Sequence, residues 1–227
     1  MSRLDFELQD GDSAVNRSVE IEQLVIAGWT GRDAAAVRHH IDELAAIGVP
    51  PPSRVPVYYR VAASLATQRT RLQVLGAGSS GEAEPVLFAT ADGLWLTLGS
   101  DHTDRDAERA GVALSKQLCS KPVAARAWRW ESVCRHADTL ELRSWISEGG
   151  QRVLYQEGTL AALQPLDALV RGWSTGGLAP ATMMFCGTLA AIGGVRPSGQ
   201  FVAQLLDPAT RRTIDLSYDT QSLPVVS

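Results

Sequence analysis

Two glutamates stand one residue apart just ahead of an apolar run, in the segment GEAEPVLF at positions 81–88. On a strand, residues i and i+2 face the same side, so the Glu82 and Glu84 side chains would project together, about 6 to 7 Å apart. The segment FATADGLWLTLG at 88–99 is typical of two antiparallel strands joined at the Ala-Asp-Gly turn, which would bring Asp101 back beside the glutamates. Three converging carboxylates suit Mg²⁺ or Mn²⁺, which prefer oxygen ligands. In the alternative interpretation, the glutamates form the solvated face of an edge strand and Asp101 caps a helix.

A second group of candidate residues lies in RHHIDEL at positions 38–44. Spacing of three places His40 and Glu43 on one helical face, where an imidazole and a carboxylate can share a proton or polarise a water molecule. His39 and Asp42 have the same spacing on a neighbouring face, so periodicity does not choose between the two pairs. A surface helix with incidental histidines is the alternative.

Two further segments contain groups that could contact a substrate. Lys116 follows an apparent helix in SKQLCSKP at 115–122, and CGTLAAIGG at 186–194 places small residues between strands. Small residues let a backbone approach a ligand closely, and the Thr188 hydroxyl could donate to a carboxylate. A surface lysine and an ordinary tight turn are the alternatives.

The overall composition argues against several classes of protein. The 227 residues include 21 basic and 25 acidic side chains, which offers no basic surface for a nucleic-acid backbone. The first ten residues are charged where a signal peptide would be apolar, and nowhere do 18 apolar residues run together, so neither a signal peptide nor a membrane anchor is expected. Cys119, Cys134 and Cys186 are odd in number and widely spaced, which favours a reducing cytoplasm over a disulfide framework or a zinc site.

These candidate residues must be positioned by a chain in which strand patterns alternate irregularly with short helices. Alternating apolar residues predict a hairpin near the N-terminus, followed by strands to the end of the chain, at 4–9, 19–29, 55–61, 71–76, 84–90, 93–100, 139–146, 152–158, 182–195, 200–207 and 212–219. Caps and helical spacing predict helices at 33–48, 103–116 and 163–173.

The pattern predicts one α+β domain over residues 1–227 that is mainly β, with a curled or sandwiched sheet and an N-terminal β-hairpin extension at 1–24. A doubly wound sheet is not favoured, because strands and helices do not alternate regularly and no GxGxxG follows a strand.

Taken in order, these segments resemble the fumarylacetoacetate hydrolase superfamily over about Val25 to Asp215, and in particular a short, divergent bacterial branch of it. The family's ordered motifs are G-x-N-Y-x-x-H-x-x-E, F-x-K-P-x-S, E-x-E, N-D-x-S-x-R-D, a lysine after a helix, Q-D-G-N-T and T-G-T-P-A-G-V-G. Their counterparts here are GWTGRDAAAVRHHIDE, YYRVAAS with Arg60 at the lysine, Glu82 and Glu84, SDHTDRD with Asp101 and Arg105, Lys116, YQEGT at 155–159 and CGTLAAIG at 186–193.

The chain also departs from the family pattern. The Asn-Tyr of the first motif is absent, Arg60 replaces a lysine and Leu189 replaces a proline. The interval from Glu84 to Asp101 is shorter than usual, as if a connecting helix had been deleted.

The resemblance implies a mixed β-sandwich or β-roll with a few short peripheral helices, a homodimer, and an enzyme that cleaves a C–C bond of a small 2-oxo or β-dicarbonyl acid by hydrolysis. Glu82, Glu84 and Asp101 would bind Mg²⁺ or Mn²⁺, and the reaction would pass through a metal-stabilised enolate. His40, Glu43 and Lys116 would be catalytic, the first two by activating water. The substrate carboxylate would contact Arg60, Arg105, Gly187 and Thr188.

The same enolate chemistry also serves decarboxylases, tautomerases and hydratases, so the resemblance leaves the reaction open. A non-catalytic ligand-binding or assembly protein that retains the fold is the second alternative. Neither nucleic acid nor membrane is expected as a partner.

Overall fold

The structure is a computed structural model that describes residues 1–46, 48 and 50–226, apart from the side chains of His40 and Leu44. The strands formed by the described residues are, in chain order, β1 (Ser2–Asp10), β2 (Ser13–Ile21), β3 (Gln23–Gly28), β4 (Val57–Val61), β5 (Ala66–Thr67), β6 (Arg71–Leu75), β7 (Ser79–Ser80), β8 (Ala83–Thr90), β9 (Gly93–Ser100), β10 (Thr103–Asp104), β11 (Lys121–Pro122), β12 (Arg126–Arg129), β13 (Glu141–Glu148), β14 (Gln151–Thr159), β15 (Thr182–Phe185), β16 (Gln200–Asp207) and β17 (Arg212–Leu223).

The larger sheet curls around a core of its own. Its strand order is β2-β1-β12-β9-β8-β15-β3-β4, with parallel pairing of β1 with β12 and of β15 with β3. Three strand spacings, about 14 Å in a flat sheet, separate β1 from β8. The rings of Phe6 on β1 and Phe88 on β8 nevertheless stack with centroids 4.5 Å apart. The sheet must therefore bend until these strands face each other, and the side chains inside the bend form one of the two hydrophobic clusters.

The smaller sheet covers the outer face of that curl. Its order is β14-β13-β16-β17-β6, antiparallel except for β17 with β6. The second hydrophobic cluster lies between the sheets and joins Leu87, Leu98 and Met184 of the larger sheet to Phe201 and Leu205 of the smaller one. Strand β8 is buried along almost its whole length because both of its faces are covered. The mainly β, sandwiched α+β fold predicted from the sequence is confirmed.

The helices are short and peripheral. They are α1 (Ala34–Ala46), α2 (Val112–Gln117) and α3 (Leu166–Trp173), together with 3₁₀ turns at Ala63–Leu65, Ala107–Arg109, Trp130–Ser132, Cys134–Thr139 and Leu160–Ala162. Asp33 begins α1, since its Oδ1 accepts hydrogen bonds from the N–H groups of Ala35 and Ala36. The helix predicted at 103–116 is wrong as one element. Gly111, with φ +154°, interrupts it between the 3₁₀ turn and α2.

The N-terminal residues form the hairpin expected for them, but the strand predicted at 19–29 is divided between the end of β2 and β3. β1 and β2 pair over their full lengths. The chain then breaks at Glu22, and β3 leaves to pair with β15 and β4 on the other side of the sheet. Strand β1 lies beside β12, a strand that the sequence pattern missed.

Two short ladders hold the loops that follow the central hairpin of β8 and β9. β7 pairs with β10, and β5 pairs with β11. None of the helices in the described part of the chain is both long and apolar enough to cross a membrane.

The curl gives a stability prediction. Phe6→Ala removes one of the two stacked rings inside the larger sheet, and we expect the free energy of unfolding to fall by roughly 3 to 5 kcal/mol, the usual cost of a buried Phe→Ala change. Val15→Ala on the adjacent strand, where the side chain is 52% exposed, is the matched control and should change it by less than about 0.5 kcal/mol. Urea denaturation measures both, and similar effects of the two changes would contradict the packing described.

Candidate metal centre

The central hairpin brings three carboxylates together where β8 begins and β9 ends. Glu84 on β8 shares its face with Val86 and Phe88, whose side chains lie inside the curl. Its partner across the hairpin is Gly99, which has no side chain to compete for the space. Asp101 follows the end of β9, and one oxygen from each of Glu82, Glu84 and Asp101 lies within 4.8 Å of the others.

Glu84 is a buried carboxylate with a single described hydrogen bond. It is 3% exposed, and its Oε2 accepts from the N–H of Gly187 at 2.8 Å. Burial, together with repulsion from Asp101 and Glu82, raises the pKa of Glu84 well above its ordinary value. The carboxylate therefore lies where a further positive charge would stabilise its ionised form.

Asp101 is fully buried between two lysines. Lys116 Nζ donates to Oδ2, and Lys121 Nζ lies 2.9 Å from Oδ1, as an ion pair without the alignment of a hydrogen bond. Burial alone would raise the pKa of Asp101, but the two ammonium groups lower it below its ordinary value. Burial would lower the pKa of Lys116, but Asp101 and the two glutamates raise it above its ordinary value. Lys116 thus remains a cation beside the carboxylates at neutral pH.

Glu82 is held by Arg105. The Arg105 Nη2 lies 3.0 Å from Glu82 Oε1, its Nη1 donates to Glu108, and its Nε donates to Ser80 on β7. Both Glu82 and Arg105 have side chains that are 17% exposed, so this edge of the cluster reaches solvent. The resemblance implied that Arg105 contacts the substrate; in the structure its guanidinium lies on Glu82 and Glu108.

The loop after β15 supports the cluster through its backbone. Gly187 has φ +98°, and a Cβ there would lie 1.6 Å from Thr30 Oγ1, so the position requires glycine. Thr188, expected to bind a carboxylate, donates instead to the carbonyl of Ala83 at 2.7 Å. Gln156 of β14 donates to Thr188 Oγ1 and accepts from the Ala83 N–H. The smaller sheet is thereby fastened to the strand that carries Glu84.

The structure does not bring Arg60 to the carboxylates. Arg60 on β4 lies opposite Val25, whose side chain belongs to the core between the sheets, on the other face from Glu84. Its guanidinium lies 5.9 Å from the ring centroid of Trp173 on α3. The adjacent Tyr59 packs instead on the cluster inside the curl, with its ring centroid 5.8 Å from Lys116 Nζ.

The predicted acid–base pair lies on α1. Glu43 has a side chain 59% exposed, and its Oε1 is 3.3 Å from Nε2 of His39, one helical turn away. The side chain of His40 lies outside the described residues, as do Ile47 and Val49. Glu43 thus forms an exposed pair with His39, four residues away, and its pairing with His40 stays a prediction.

Sequence reasoning missed Lys121, His102, Tyr218 and Gln156. Lys121 stands only five residues after Lys116, and nothing in its local pattern shows that it is fully buried against Asp101. Tyr218 had a usable signal. It shares a strand face with Ile214 and Leu216, so its burial was predictable, and a buried tyrosine hydroxyl needs a partner.

The residues present fit a hard divalent cation. The ligand atoms are all carboxylate oxygens, and two ligands on opposite sides of such a cation lie about 4 to 5 Å apart, comparable with the 4.8 Å limit here. Four carboxylates, including Glu108, meet three cationic side chains, Lys116, Lys121 and Arg105. With all seven ionised, one negative charge is uncompensated. Burial accordingly raises the pKa of Glu108 above its ordinary value and that of Glu84 well above it.

Comparison with protein families gives one match over most of the chain. The model of the family described as "Protein of unknown function (DUF2848)" matches residues 27–218. Comparison with curated proteins gives no match.

Solved structures share the fold at low sequence identity. A fumarylpyruvate hydrolase from Pseudomonas aeruginosa, solved with Mn²⁺ and pyruvate, is 14% identical with a TM-score of 0.63 over 99% of this chain and 97% of that one. A 5-carboxymethyl-2-hydroxymuconate delta-isomerase from Mycobacterium smegmatis is 16% identical with a TM-score of 0.60 over 93% and 85%. A 2-keto-3-deoxyarabinonate dehydratase is 11% identical with a TM-score of 0.64 over 92% and 77%. The fold is the one that the resemblance to the fumarylacetoacetate hydrolase superfamily predicted.

The Gly187 loop provides a test of how the carboxylates are held. Gly187→Ala forces a Cβ into Thr30 as well as an unfavourable φ, so we expect a loss of stability of about 2 to 4 kcal/mol. Gly177→Ala is the control, because Gly177 has φ +82° and a Cβ there would meet nothing within 4 Å, and it should cost only about 1 kcal/mol. Thermal and urea unfolding measure both, and equal losses would show that the contact with Thr30 is not limiting.

Proposed function

This chain is a member of the DUF2848 family, and from its fold and carboxylate site we propose that it is a divalent-metal-dependent enzyme acting on a small 2-oxo or β-dicarbonyl acid. The observation that carries the proposal is the convergence of Glu82, Glu84 and Asp101 with Lys116 beside them. Carboxylates that formed only the solvated face of an edge strand would be exposed to solvent, whereas Glu84 and Asp101 are buried.

Glu82, Glu84 and Asp101 would hold the cation, with Mg²⁺ and Mn²⁺ as the candidates. When bound, it would supply Lewis-acid polarisation of a substrate oxygen. Backbone and side-chain groups of the protein itself set the geometry of this site. Gly187 N–H orients Glu84, Arg105 orients Glu82, and the two lysines orient Asp101.

Lys116 is the candidate for contact with the substrate. Its side chain is 9% exposed, whereas that of Lys121 is fully buried, so of the two lysines on Asp101 it is Lys116 that reaches the open side of the cluster. An ammonium group kept charged at this position would stabilise negative charge that develops on the substrate as an enolate forms. It would also attract a substrate carboxylate.

Hydrolytic C–C cleavage is the first candidate reaction, and it requires an activated water molecule. Its support is the resemblance of the H-x-x-E segment to that of the family. A second candidate reaction is decarboxylation, tautomerisation or hydration. It is favoured by the exposure of the Glu43 side chain, which is 59% exposed. Solved proteins of this fold include a hydrolase, an isomerase and a dehydratase.

Metal binding is tested by replacing Glu84. In Glu84→Gln we expect the affinity for Mn²⁺, measured by calorimetric titration, to fall by about a hundredfold or more. Loss of a residue that only orients a metal ligand already costs roughly tenfold to a hundredfold, and Glu84 is proposed as a ligand itself. Mn²⁺ at a hundred times its Kd should stabilise the wild type by about 2.7 kcal/mol and the variant far less. Without metal, the variant should be at least as stable as the wild type, because it removes a carboxyl group whose ionisation is disfavoured by burial and by repulsion from Asp101 and Glu82.

Glu157→Gln serves as the matched control for this change. Its carboxylate is 49% exposed and pairs with Arg143 on the smaller sheet, so its Mn²⁺ affinity should equal that of the wild type. Unchanged affinity in Glu84→Gln would refute the assignment of this carboxylate as a ligand.

Activity is tested with a panel of 2-oxo and acylpyruvate-type acids, following loss of the enol absorbance with Mg²⁺ or Mn²⁺ and with chelator. We expect activity to require the metal and Lys116→Met to lower kcat by about a hundredfold or more, since the substitution removes the charge beside the cluster. Glu43→Gln distinguishes the reactions, because it should abolish hydrolysis but leave decarboxylation or tautomerisation unchanged. Full activity in the presence of chelator would contradict the proposal.

A further inference from the structure

A buried chain of hydrogen bonds runs behind the carboxylates from the smaller sheet. Tyr218 on β17 is 1% exposed, and its hydroxyl lies 2.8 Å from Ser100 Oγ at the end of β9. Ser100 Oγ in turn accepts from the N–H of Glu82 at 3.1 Å. One hydroxyl from the second sheet is thus connected, through one serine, to the backbone of a candidate metal ligand.

The same hydroxyl reaches the segment after Asp101. His102 Nδ1 lies 2.9 Å from Tyr218 Oη, and its Nε2 lies 2.9 Å from Ser79 Oγ on β7. The carbonyl of His102 accepts from Lys121 Nζ, which also pairs with Asp101. Either neutral tautomer of the imidazole gives a continuous chain of donors and acceptors between the tyrosine and the serine. The imidazole therefore spans the gap between β17 and the β7–β10 ladder.

The packing around Tyr218 shows that the hydroxyl is closely fitted. A Cβ at Gly81 would lie 2.5 Å from Tyr218 Oη and 2.6 Å from the Phe201 ring, so residue 81 has to be glycine for the tyrosine to occupy this place. Gly81 immediately precedes Glu82, and the Asp101 N–H donates to the Glu82 carbonyl at 3.0 Å. The two segments that bear the ligands are joined to each other, and both are joined to Tyr218.

We propose that Tyr218 is a positioning residue for the carboxylate site: its hydroxyl, through Ser100 and His102, fixes the segments that carry Glu82 and Asp101. The described hydrogen bonds of the Tyr218 hydroxyl go to Ser100 and His102, so it acts on the carboxylates through residues 81–82 and 100–102. The proposal goes beyond the assignment of ligands and rests on the proposed function only where it concerns metal affinity. The positioning itself belongs to the protein without metal.

The test compares Tyr218→Phe with Tyr155→Phe. Tyr155 is equally buried in the smaller sheet, its ring also packs on Phe201, and its hydroxyl accepts from the backbone of Arg196 instead of bonding to the site segments. The quantity measured in metal-free protein is the ratio of the amide hydrogen exchange rates of Glu82 and Asp101 to that of Ala203 in the core. We expect Tyr218→Phe to raise this ratio roughly tenfold, because the segments lose a buried hydrogen bond. Tyr155→Phe should leave that ratio unchanged.

The second measurement is the Mn²⁺ affinity of the same proteins by calorimetric titration. Tyr218→Phe should weaken it about tenfold, as outer-shell partners of metal ligands do, while Tyr155→Phe should not. Equal exchange ratios in the two variants would overturn the positioning role. If the wild type bound no Mn²⁺, the proposed function would fail, and the exchange ratio would still decide whether Tyr218 orders the segments.

Discussion

Repulsion among three carboxylates gathered within a few ångströms is the constraint on which the rest of this structure depends. Each carboxylate is stabilised in a different way: Glu82 by a guanidinium, Asp101 by two ammonium groups and Glu84 by one backbone N–H. The uneven arrangement matters, because it leaves Glu84 as the group whose ionisation is hardest to sustain. A site with four carboxylates and three cationic side chains, all partly or wholly buried, has a place for added positive charge that an ordinary surface cluster lacks.

The two sheets have different tasks in building this site. The larger sheet supplies the candidate ligands from its central hairpin, and the side chains of Val86 and Phe88 next to them are buried inside the curl. The smaller sheet contributes none of the three candidate ligands. Its Gln156 nevertheless accepts from the backbone N–H of Ala83, and its Tyr218 hydroxyl bonds to the Ser100 side chain at the end of the hairpin. Packing between the sheets is therefore coupled to the geometry of the carboxylates, so a packing defect in the shared core would shift the carboxylates.

Much of the fold could be predicted from local patterns, because strands and caps are determined by near neighbours. The hairpin of β8 and β9 followed from apolar runs around an Ala-Asp-Gly turn, and α1 followed from Asp33 as its cap. The position of Arg60 could not be predicted, since the resemblance gave its place in the chain but only the pairing of Arg60 with Val25 decides its face. Lys121 was missed for a similar reason: its partner Asp101 is twenty residues away, and burial of a lysine depends on tertiary contacts.

The short connection between β8 and β9 affects how the site comes together during folding. Glu84 and Asp101 lie on the two arms of one tight hairpin, so bringing them together closes a loop of fewer than twenty residues and costs little chain entropy. Tyr218 enters from more than a hundred residues further along the chain. Glu84 and Asp101 are thus brought together by contacts between residues close in sequence. Their final alignment depends on contacts with distant residues, which form only once the last long strand has joined the smaller sheet.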